Sequence, residues 1–561
     1  MADDKSQLAG IDRRRLLQGL GGASALALAG CTGGGDGGDG GDGGGDGGGG
    51  DGSGGDGGDG GMGGGKLTLA QVKSPIEFDP VVLNDVPSGE VSGNIFEGLY
   101  DYDAGTKVVP QIATGQPEVS NGGTTWVVEM TTDATFQNGD PVTPEDVKYS
   151  FEAPVDEETE NASEVNMIDT VSVVDDSTVQ FDLKYPYGAF IHTLTWSIVP
   201  MSVRESDKEA FNTQSPVGSG AFKFVDWQEG DYVRLERWDD YWGDELPNLA
   251  EVEFTPIEEG TTRVTTLRNG ENDVIKEIPP KQWSTVQSIS DASIDAVPGI
   301  GYFYLAFNCN EGPTTDPTVR EAIDYVFDMD QAVSNFVEPT GVRQYSPLPL
   351  AVAEDWEMPL DEWKGIPHGK DIDQAQSLFD EAGVASDYSW RIIVPPDDKR
   401  EQIGITVSNG LQEAGFSDVT VQRLDWGAFL DQYISGSADD YNMYTLGWAG
   451  TPDPDAFTYY LFGRTEDTLG VTNGSFYGNN SDRGKEVGDM IVQARESADR
   501  AERKQLYEDA ITMILEDRAH LPAYNLKNSF GVKDYVQDFS AIPTTESFHI
   551  FSNHNNVSMN Q

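Results

Sequence analysis

Histidine and cysteine, the residue types that most often bind metals or act as nucleophiles, are scarce in this chain of 561 residues. The histidines are His192, His368, His520, His549 and His554. None lies four residues from another on a helical pattern, which is a spacing that binds zinc. No serine nucleophile elbow, no Cys/His pair and no glycine loop ending in lysine is visible. We therefore predict no metal site, no cofactor and no catalytic residue.

Acidic residues are so numerous that their pairing carries no catalytic information. The chain has 96 Asp and Glu against 36 Lys and Arg, a formal net charge of −60. Carboxylate pairs of the kind that glycosidases use therefore arise by chance. A surface with this charge repels nucleic acid and anionic lipid headgroups, so we expect neither as a partner. Because the excess runs through the whole chain, we predict a protein adapted to molar salt, as in halophilic archaea.

The two cysteines are predicted to have separate roles. Residues 28–31 read Leu-Ala-Gly-Cys and look like a lipobox, whose cysteine becomes a lipid-carrying mature N-terminus. Upstream, residues 12–18 match a twin-arginine export signal, and residues 19–30 form an apolar run too short to span a bilayer. We predict that residues 1–31 are the signal and that Cys31 is lipidated. Cys309 stands alone and is predicted to be a small buried residue.

A flexible tether is predicted to follow the signal. Residues 32–65 are almost entirely glycine with interspersed aspartate. A calcium-binding Gly/Asp repeat would need a recurring apolar residue to build its core, and none occurs before Met62. A random coil of about 33 residues has a root-mean-square span of roughly 30 Å. Such a span would hold a folded body close to a membrane surface.

An ordered α/β body is predicted beyond the tether. Residues 66–70 and 125–130 alternate apolar and polar side chains, as strands do. A helix is predicted to begin after Thr143, an N-cap residue that is followed by proline. Two further helices are predicted, one that begins at Pro317 and one that covers residues 508–516.

Several segments resemble the family 5 extracellular solute-binding proteins, which serve ABC importers of dipeptides and oligopeptides. The longest is residues 136–151, FQNGDPVTPEDVKYSF, which resembles the family signature F-x-D-G-x-P-x-T-A-x-D-V-x-x-S. The other matching segments are residues 78–80, 95–100, 216–222, 237–242, 307–322 and 446–455. The resemblance is specific because these segments occur in the order in which the family has them.

The resemblance implies an α/β fold of two lobes, the periplasmic-binding-protein fold of type II and cluster C with a two-strand hinge. The first lobe would comprise residues 66–300 and 525–561, and the second lobe residues 301–524. The chain would cross between them near residues 297–304 and 521–526. Closure of the hinge around a solute would then change the surface that a membrane permease recognises.

The function that the resemblance implies is capture of a peptide or similar small solute outside the cytoplasm and its delivery to an ABC permease. The expected partners are the solute, the permease with its ATPase, and the outer face of the cell membrane through the lipid on Cys31. The protein itself would be a monomer and not an enzyme. Two alternatives stay open. One is a sensory protein that presents solute to a signalling partner, and the other is a secreted hydrolase.

The solute-binding residues that the resemblance implies are Gly447, Trp448, Thr451, Asp453 and Ser219. Trp448 lies in the family's pocket motif, where an indole stacks on the solute and excludes water. Asp453 either contacts the solute or caps a rigid turn, and we favour the cap. In peptide-binding members an Asp after Gly-Trp pairs with the peptide's α-ammonium group. This chain has Gly450 and Thr451 there, so we predict a pocket without that anchor.

Possible glycan acceptors also occur in the sequence. The Asn-x-Ser/Thr sequons begin at Asn161, Asn473, Asn479 and Asn556. The pattern is short and therefore weak evidence, but it is relevant to an exported protein.

The first testable prediction concerns the anchor. Changing Cys31 to Ala removes the lipid attachment site, so the protein should either be released into the medium or remain unprocessed. Fractionation and mass spectrometry of the mature N-terminus measure both outcomes. Membrane retention of a processed Cys31→Ala protein would contradict a lipid anchor, although a single acyl chain binds a membrane only marginally.

The second prediction concerns salt. Repulsion among the carboxylates is screened over about 10 Å at 0.1 M salt but over only about 3 Å at 1 M. The melting temperature should therefore rise between about 0.1 M and about 3 M KCl as this repulsion is screened. Thermal melts followed by circular dichroism measure it. A flat or falling melting temperature across that series would show that the prediction is wrong.

Overall fold

The computed structural model describes residues 64–466, 468–544, 550–552 and 555–560. The predicted export signal, Cys31 and the tether up to residue 63 lie outside these residues, as do His549 and His554. Within the described ranges no helix is both long enough and apolar enough to cross a membrane.

The strands of the described residues are mostly short, and they are numbered in chain order. They are β1 (Lys66–Gln71), β2 (Tyr100–Tyr102), β3 (Val108–Pro110), β4 (Glu118–Ser120), β5 (Thr125–Glu129), β6 (Ile168–Asp175), β7 (Thr178–Leu183), β8 (Phe222–Gln228), β9 (Tyr232–Arg237), β10 (Glu251–Pro256), β11 (Val274–Lys276), β12 (Ala292–Pro298), β13 (Gly301–Phe307), β14 (Gly341–Arg343), β15 (Trp390–Val394), β16 (Val419–Arg423), β17 (Met443–Ala449), β18 (His520–Lys533), β19 (Val536–Gln537), β20 (Phe551–Ser552), β21 (Asn555–Asn556) and β22 (Ser558–Met559).

The α-helices are numbered in the same way. They are α1 (Val86–Ser92), α2 (Pro144–Asp156), α3 (Ala162–Val165), α4 (Phe190–Thr193), α5 (Met201–Arg204), α6 (Lys208–Thr213), α7 (Gly260–Asn269), α8 (Trp283–Gln287), α9 (Pro317–Tyr325), α10 (Met329–Phe336), α11 (Leu350–Asp355), α12 (Leu360–Lys364), α13 (Ile372–Glu381), α14 (Asp398–Glu413), α15 (Trp426–Tyr433), α16 (Pro454–Phe462), α17 (Asp482–Glu496) and α18 (Arg500–Glu516). Short 3₁₀ helices cover Asn121–Gly123, Pro280–Gln282 and Pro313–Thr315.

The largest sheet consists of two halves that share strand β18. The first half has the order β18-β11-β1-β10-β9-β8, and β12 also pairs with β18. The second half has the order β16-β15-β17-β13-β18, and β14 also pairs with β18. Strand β12 pairs with residues 527–533 of β18, whereas β13 pairs with residues 520–524. Each half therefore uses its own end of one long strand.

The chain passes between the two halves at two neighbouring places. Strand β12 ends at Pro298 and β13 begins at Gly301, while β18 runs antiparallel beside both strands. The backbone N–H of Gly299 donates to the carbonyl of Leu526 (2.9 Å), and the Asn525 side-chain amide donates to the carbonyl of Gly299 (2.8 Å). These paired crossings form the two-strand hinge.

Separate hydrophobic cores lie on the two sides of this hinge. One core contains buried residues between Tyr302 and Tyr524. Within the described residues, three other cores draw on residues 67–289 and 530–557. We call the body around the first of these cores the second lobe and the remainder the first lobe. The four-stranded sheet β4-β5-β7-β6 belongs to the first lobe. The predicted lobe boundaries themselves stay a prediction.

Most of the local elements predicted from the sequence are present where expected. Strands β1 and β5 cover the predicted alternating segments. The side chain of Thr143 accepts from the backbone N–H of Asp146, whose carboxylate in turn accepts from the backbone N–H of Thr143. This reciprocal capping box explains why α2 begins at Pro144. Helix α9 begins at Pro317, as predicted.

Helix α18 is longer than predicted, because it begins at Arg500 and not near residue 508. Its first turns are rich in charged residues, so no apolar period is visible there. The carboxylate of Asp499 accepts from the backbone N–H groups of Ala501 and Glu502 and so caps the helix. Arg503 is then buried because Asp453 pairs with it across 2.6 Å. A tertiary ion pair therefore replaces the usual apolar residue on the inner face.

The burial of Cys309, Asn161 and Asn473 bears on the predictions for the free thiol and for the glycan acceptors. Cys309 is a free and buried thiol, as predicted. Asn161 is buried and its amide donates to the carbonyl of Leu83 (2.8 Å), while the buried Asn473 amide donates to the carbonyl of Gly463 (2.9 Å). An amide enclosed in this way is not available to a glycan, so these two sequons are not glycan sites in the folded chain.

Candidate functional site

The candidate site lies at the edge of the second lobe where two parallel strands end. Strands β15 and β17 run parallel and end at Val394 and Ala449, and β13 begins beside them at Gly301. Open α/β sheets bind ligands at the carboxyl ends of their parallel strands. This edge also borders the hinge. The predicted residues Gly447 and Trp448 are among the last residues of β17 and therefore lie on it.

Gly447 makes room for an aromatic ring. It pairs with Phe303 of β13, and a methyl group built on Gly447 would overlap the Phe303 ring. The Phe303 ring in turn stacks on the ring of Tyr524, with centroids 4.6 Å apart and an angle of 5° between the planes. Only glycine at position 447 therefore leaves room for the Phe303 ring in its stacked position on Tyr524. The contribution of Gly447 to the site is space and not a polar contact.

Trp448 is fixed against helix α16 but is not fully enclosed. Its indole N–H donates to the carbonyl of Ala456 (2.7 Å), and its ring lies 5.7 Å from the ring of Tyr460. Its burial is intermediate, whereas Trp390 of the neighbouring strand β15 is fully buried. Because one end is anchored by a hydrogen bond, the indole is a rigid surface that remains partly accessible.

Asp453 is a buried helix cap. Its backbone N–H donates to the carbonyl of Thr451 (2.7 Å), and its carboxylate accepts from the backbone N–H of Asp455 (2.9 Å) at the start of α16. The predicted cap is therefore present. The same carboxylate pairs with Arg503 (2.6 Å) and approaches His192 Nε2 (3.6 Å). Burial raises the pKa of Asp453, but the charge of Arg503, the contact with His192 and the backbone hydrogen bond from Asp455 together outweigh burial and hold the pKa below its usual range.

Ser219 lies in the first lobe, in a cluster around the buried carboxyl of Glu97. The carbonyl of Ser219 accepts from the Trp242 indole (3.1 Å), which also donates to Glu97 (2.9 Å). The Tyr241 hydroxyl donates to Glu97 as well (2.5 Å). Burial raises the pKa of Glu97 to about 7 despite these hydrogen bonds. The fully buried Ser219 therefore contributes its backbone to a polar cluster within its own lobe.

Arg400 is the residue of this edge that the sequence reasoning missed. It lies in the first turn of α14, directly after strand β15, and is only 3% exposed. Its guanidinium lies 5.6 Å from the centroid of the Phe303 ring and 3.3 Å from an oxygen of Asp397. Neither Nε nor Nη1 makes a hydrogen bond to any described residue. Buried donors are almost always satisfied, so this guanidinium has capacity for a further acceptor.

The sequence does contain a pattern that could have indicated Arg400, namely an arginine in the first turn of a helix. The dipole of a helix favours acidic side chains in the first turn and disfavours cations there. Asp397 caps α14 through the backbone N–H of Arg400 (2.9 Å), so the first turn places an arginine at the positive end of the helix. A cation in that unfavourable position at the end of a buried strand indicates a role other than helix stability.

A separate cavity lies elsewhere in the second lobe but is less suited to bind a solute. Its volume is about 370 Å³, and Cys309, Arg320, Tyr477 and Asp517 are among its lining residues. Arg320 donates to the carbonyls of residues 314, 315 and 517, and Asp517 accepts from the Tyr477 hydroxyl (2.8 Å). The charged groups are therefore already paired internally. In the described ranges no group of three His, Cys, Asp or Glu is placed to hold a metal ion.

The fold and this edge define a class of protein. Two α/β lobes joined by a pair of adjacent strands form the periplasmic-binding-protein fold of type II. The carboxyl edge of the second lobe carries stacked aromatic rings and a cation, at the hinge about which the lobes close. Proteins with this arrangement are solute-binding proteins.

Comparisons with known proteins identify the family. The family model described as "Bacterial extracellular solute-binding proteins, family 5 Middle" matches residues 107–468, and the chain belongs to this family. The glutathione-binding protein GsiB of Pectobacterium atrosepticum is 26% identical over 459 residues, which cover 78% of this chain and 84% of that protein. The oligopeptide-binding protein AppA of Bacillus subtilis is 24% identical over 508 residues, which cover 87% of this chain and 91% of that protein.

A solved structure supports the fold assignment. The DppA protein from Helicobacter pylori, in complex with the peptide STSA, matches with a TM-score of 0.66 and 22% sequence identity. The match covers 89% of this chain and 98% of that chain. The similarity therefore extends over both lobes and the hinge.

The geometry of Trp448 generates a prediction with a matched control. Trp448→Ala should weaken binding of a solute that contacts the indole by about 1–3 kcal/mol. It should lower the free energy of unfolding by less than the roughly 3–5 kcal/mol typical of a fully buried tryptophan, because the indole is partly accessible. Trp390→Ala, in the fully buried position, should show that full loss. Chemical denaturation and calorimetric titration measure these quantities. Equal losses of stability in both variants, with unchanged affinity for Trp448→Ala, would assign Trp448 to the core.

Proposed function

We propose that this chain captures a small solute that carries a carboxylate between its two lobes and delivers it to an ABC import permease and its ATPase. The observation that carries the proposal is the buried guanidinium of Arg400, which has two nitrogens without hydrogen-bond partners among the described residues. Membership of the solute-binding family gives the general function. The position of Arg400 beside Phe303 at the hinge edge supports this edge as the place of capture.

A carboxylate is the solute group that fits Arg400. A guanidinium presents parallel N–H groups that match the two oxygens of a carboxylate, and such pairs are strong in a water-poor cleft. Oligopeptides, glutathione and the peptide STSA, which the names of relatives specify, all carry carboxylates. Asp397 is the acidic neighbour of Arg400, at 3.3 Å, and it already serves as a helix cap. A solute carboxylate would supply the hydrogen bonds that Asp397 does not make.

The α-ammonium of a peptide has no corresponding partner in the Gly-Trp motif. Thr451 stands where peptide-binding members have a carboxylate. Asp453 is engaged by Arg503 and approached by His192, and Asp455 is engaged by Arg495. Because both acids are buried and paired, neither is an available anchor for an ammonium group. This supports a solute that is held mainly through its acidic group.

The amino-terminal segment supports a proposal for how the protein is exported and held at the cell surface. We infer that residues 1–31 direct export, that the lipid on Cys31 anchors the mature chain to the outer face of the membrane, and that residues 32–65 act as the tether. The folded body would be a monomer adapted to high salt. The lobe boundaries at residues 300 and 524 belong to the same proposal, and limited proteolysis near the hinge would test them.

The test combines identification of the solute with a single substitution. The protein is purified under native conditions and its co-purified small molecule is identified by mass spectrometry. Arg400→Gln should weaken binding of that molecule by about 2–5 kcal/mol, because it removes a buried charge that pairs with the solute. The free energy of unfolding without solute should be unchanged or higher, since an unsatisfied buried charge is also removed.

The control variant is Arg423→Gln on the neighbouring strand β16. Arg423 is exposed and pairs with Asp398 (2.8 Å) and Glu401 (2.6 Å) on the surface, so its loss should change neither affinity nor stability by much. If Arg400→Gln lowers stability and leaves affinity intact, Arg400 is structural and the proposed site is wrong. If the solute is a peptide, N-acetylation should leave its affinity nearly unchanged, and abolition of binding would reveal an ammonium anchor.

A further inference from the structure

The guanidinium of Arg400 has hydrogen-bond donors that the second lobe itself does not satisfy. Its Nε and Nη1 atoms are buried, and neither donates to any described residue. The group lies 5.6 Å from the centroid of the Phe303 ring, which offers no lone pair to accept a hydrogen bond. A buried donor without an acceptor is costly, and the cost is greatest when the donor is charged. A small acceptor therefore fits this place.

The carboxylate of Asp397 neutralises this guanidinium without satisfying it. One oxygen of Asp397 lies 3.3 Å from Arg400 Nε, yet Nε makes no hydrogen bond to it. The same oxygen accepts from the backbone N–H of Arg400 (2.9 Å) as the cap of α14. Because the two formal charges cancel, an anion gains little long-range attraction here and is held chiefly by hydrogen bonds. Such an anion binds weakly and exchanges quickly.

Tyr524 adds a neutral hydroxyl near the same two charges. Its ring stacks on that of Phe303, and the residue is only 1% exposed. Burial raises the pKa of the Tyr524 phenol, the charge of Asp397 raises it further, and the charge of Arg400 lowers it. The phenol therefore lies within the field of both side chains and stays protonated at neutral pH. A protonated hydroxyl is a further donor for an anion.

All of these groups belong to the second lobe. Phe303 and Tyr524 are part of its hydrophobic core. Arg400 lies in the first turn of α14, a helix that packs against strands β15 and β17 of the same lobe. The donors are therefore brought together by the fold of one lobe, whatever the position of the other lobe.

The charge of the chain favours a monovalent anion at this site. A formal net charge of −60 repels every anion, and the repulsion doubles for an ion of twice the charge. A guanidinium is weakly hydrated and therefore suits a weakly hydrated anion better than a strongly hydrated one. Chloride meets both conditions, and as a sphere it accepts donors from any direction. It is also the usual anion of molar salt, the environment that the composition predicts.

We propose that Arg400 and Tyr524 bind a chloride ion when no solute is present, and that the carboxylate of the solute displaces it. The inference rests on the proposed function in that chloride and solute use the same guanidinium. Mass action then makes chloride a competitor, so the apparent dissociation constant of the solute rises with chloride concentration. This dependence is specific to the anion, whereas screening depends only on ionic strength.

The first measurement uses chloride alone as the probe. The full mature chain is dialysed into potassium fluoride and titrated with potassium chloride at constant total salt, while the excess line width of the chlorine nuclear magnetic resonance signal reports bound, exchanging chloride. Few other sites should contribute, because the acidic surface repels anions. The parent protein should show a saturable excess. Arg400→Gln should raise the chloride dissociation constant by about tenfold or more, because charged donors are lost.

The matched control is again Arg423→Gln, which removes an exposed arginine that Asp398 and Glu401 already pair. It should keep the excess line width of the parent protein. Thermal melts give an independent readout, because an ion that binds only the folded chain stabilises it. Replacing fluoride by chloride at constant potassium should raise the melting temperature of the parent and of the control more than that of Arg400→Gln.

Potassium acetate supplies the competition. Acetate is little more than a carboxylate, and it should remove the excess line width of the parent protein, a measurement that needs no variant. Failure of acetate to do so would overturn displacement by a carboxylate. If Arg400→Gln folds poorly, Arg400→Met replaces it with an apolar chain that fills similar space.

Two other results would overturn the chloride site. An excess line width that is equal in the parent and in Arg400→Gln would show an adventitious ion only, and no excess in the parent would assign water as the acceptor. Neither result touches solute capture if Arg400→Gln still weakens binding of the co-purified molecule. Conversely, chloride binding that is lost in Arg400→Gln while affinity for that molecule is unchanged would keep the chloride site and move solute capture elsewhere.

Discussion

The sharing of one long strand between two sheets is the constraint on which the rest of this structure depends. Strand β18 pairs with β12 at one end and with β13 at the other, so both lobes are built on a single continuous backbone. Hydrogen bonds between Gly299, Asn525 and Leu526 keep the two crossings side by side. The lobes therefore have one common axis about which they can close on a solute.

The buried arginines Arg495, Arg503 and Arg400 are of two kinds, those that a buried acid already pairs and one that has hydrogen-bond donors to spare. Arg495 and Arg503 are compensated by Asp455 and Asp453 and orient toward the other lobe. Arg400 lacks equivalent hydrogen bonds and lies at the carboxyl edge of the sheet. The first kind is stable without a ligand, whereas the second gains from one. Salt screens the −60 charge of the chain far more where it is exposed than at these buried groups, so both kinds of buried arginine are compatible with molar salt.

The sequence predicted the family, the two-lobed α/β fold and several elements because those depend on local patterns. Alternation predicted β1 and β5, and cap chemistry predicted the start of α2. The family is confirmed by the match over residues 107–468. Cap chemistry also favoured Asp453 as the cap of a turn, and in the structure it caps helix α16. Each of these depends on residues within a few positions of one another, or on motifs that keep their order along the chain.

Contacts between distant segments could not be predicted from sequence patterns. The burial of Arg503 in the first turns of α18 depends on its pairing with Asp453, 50 residues away. Gly188 approaches Ser497, which lies more than 300 residues away in the chain, so a single glycine in a loop carried no signal by itself. The fold class, the family and the local caps can be predicted from the order of the residues, because they follow from nearest neighbours and ordered motifs. Which buried charges are paired cannot be predicted in this way, because the pairing depends on partners that only folding brings together.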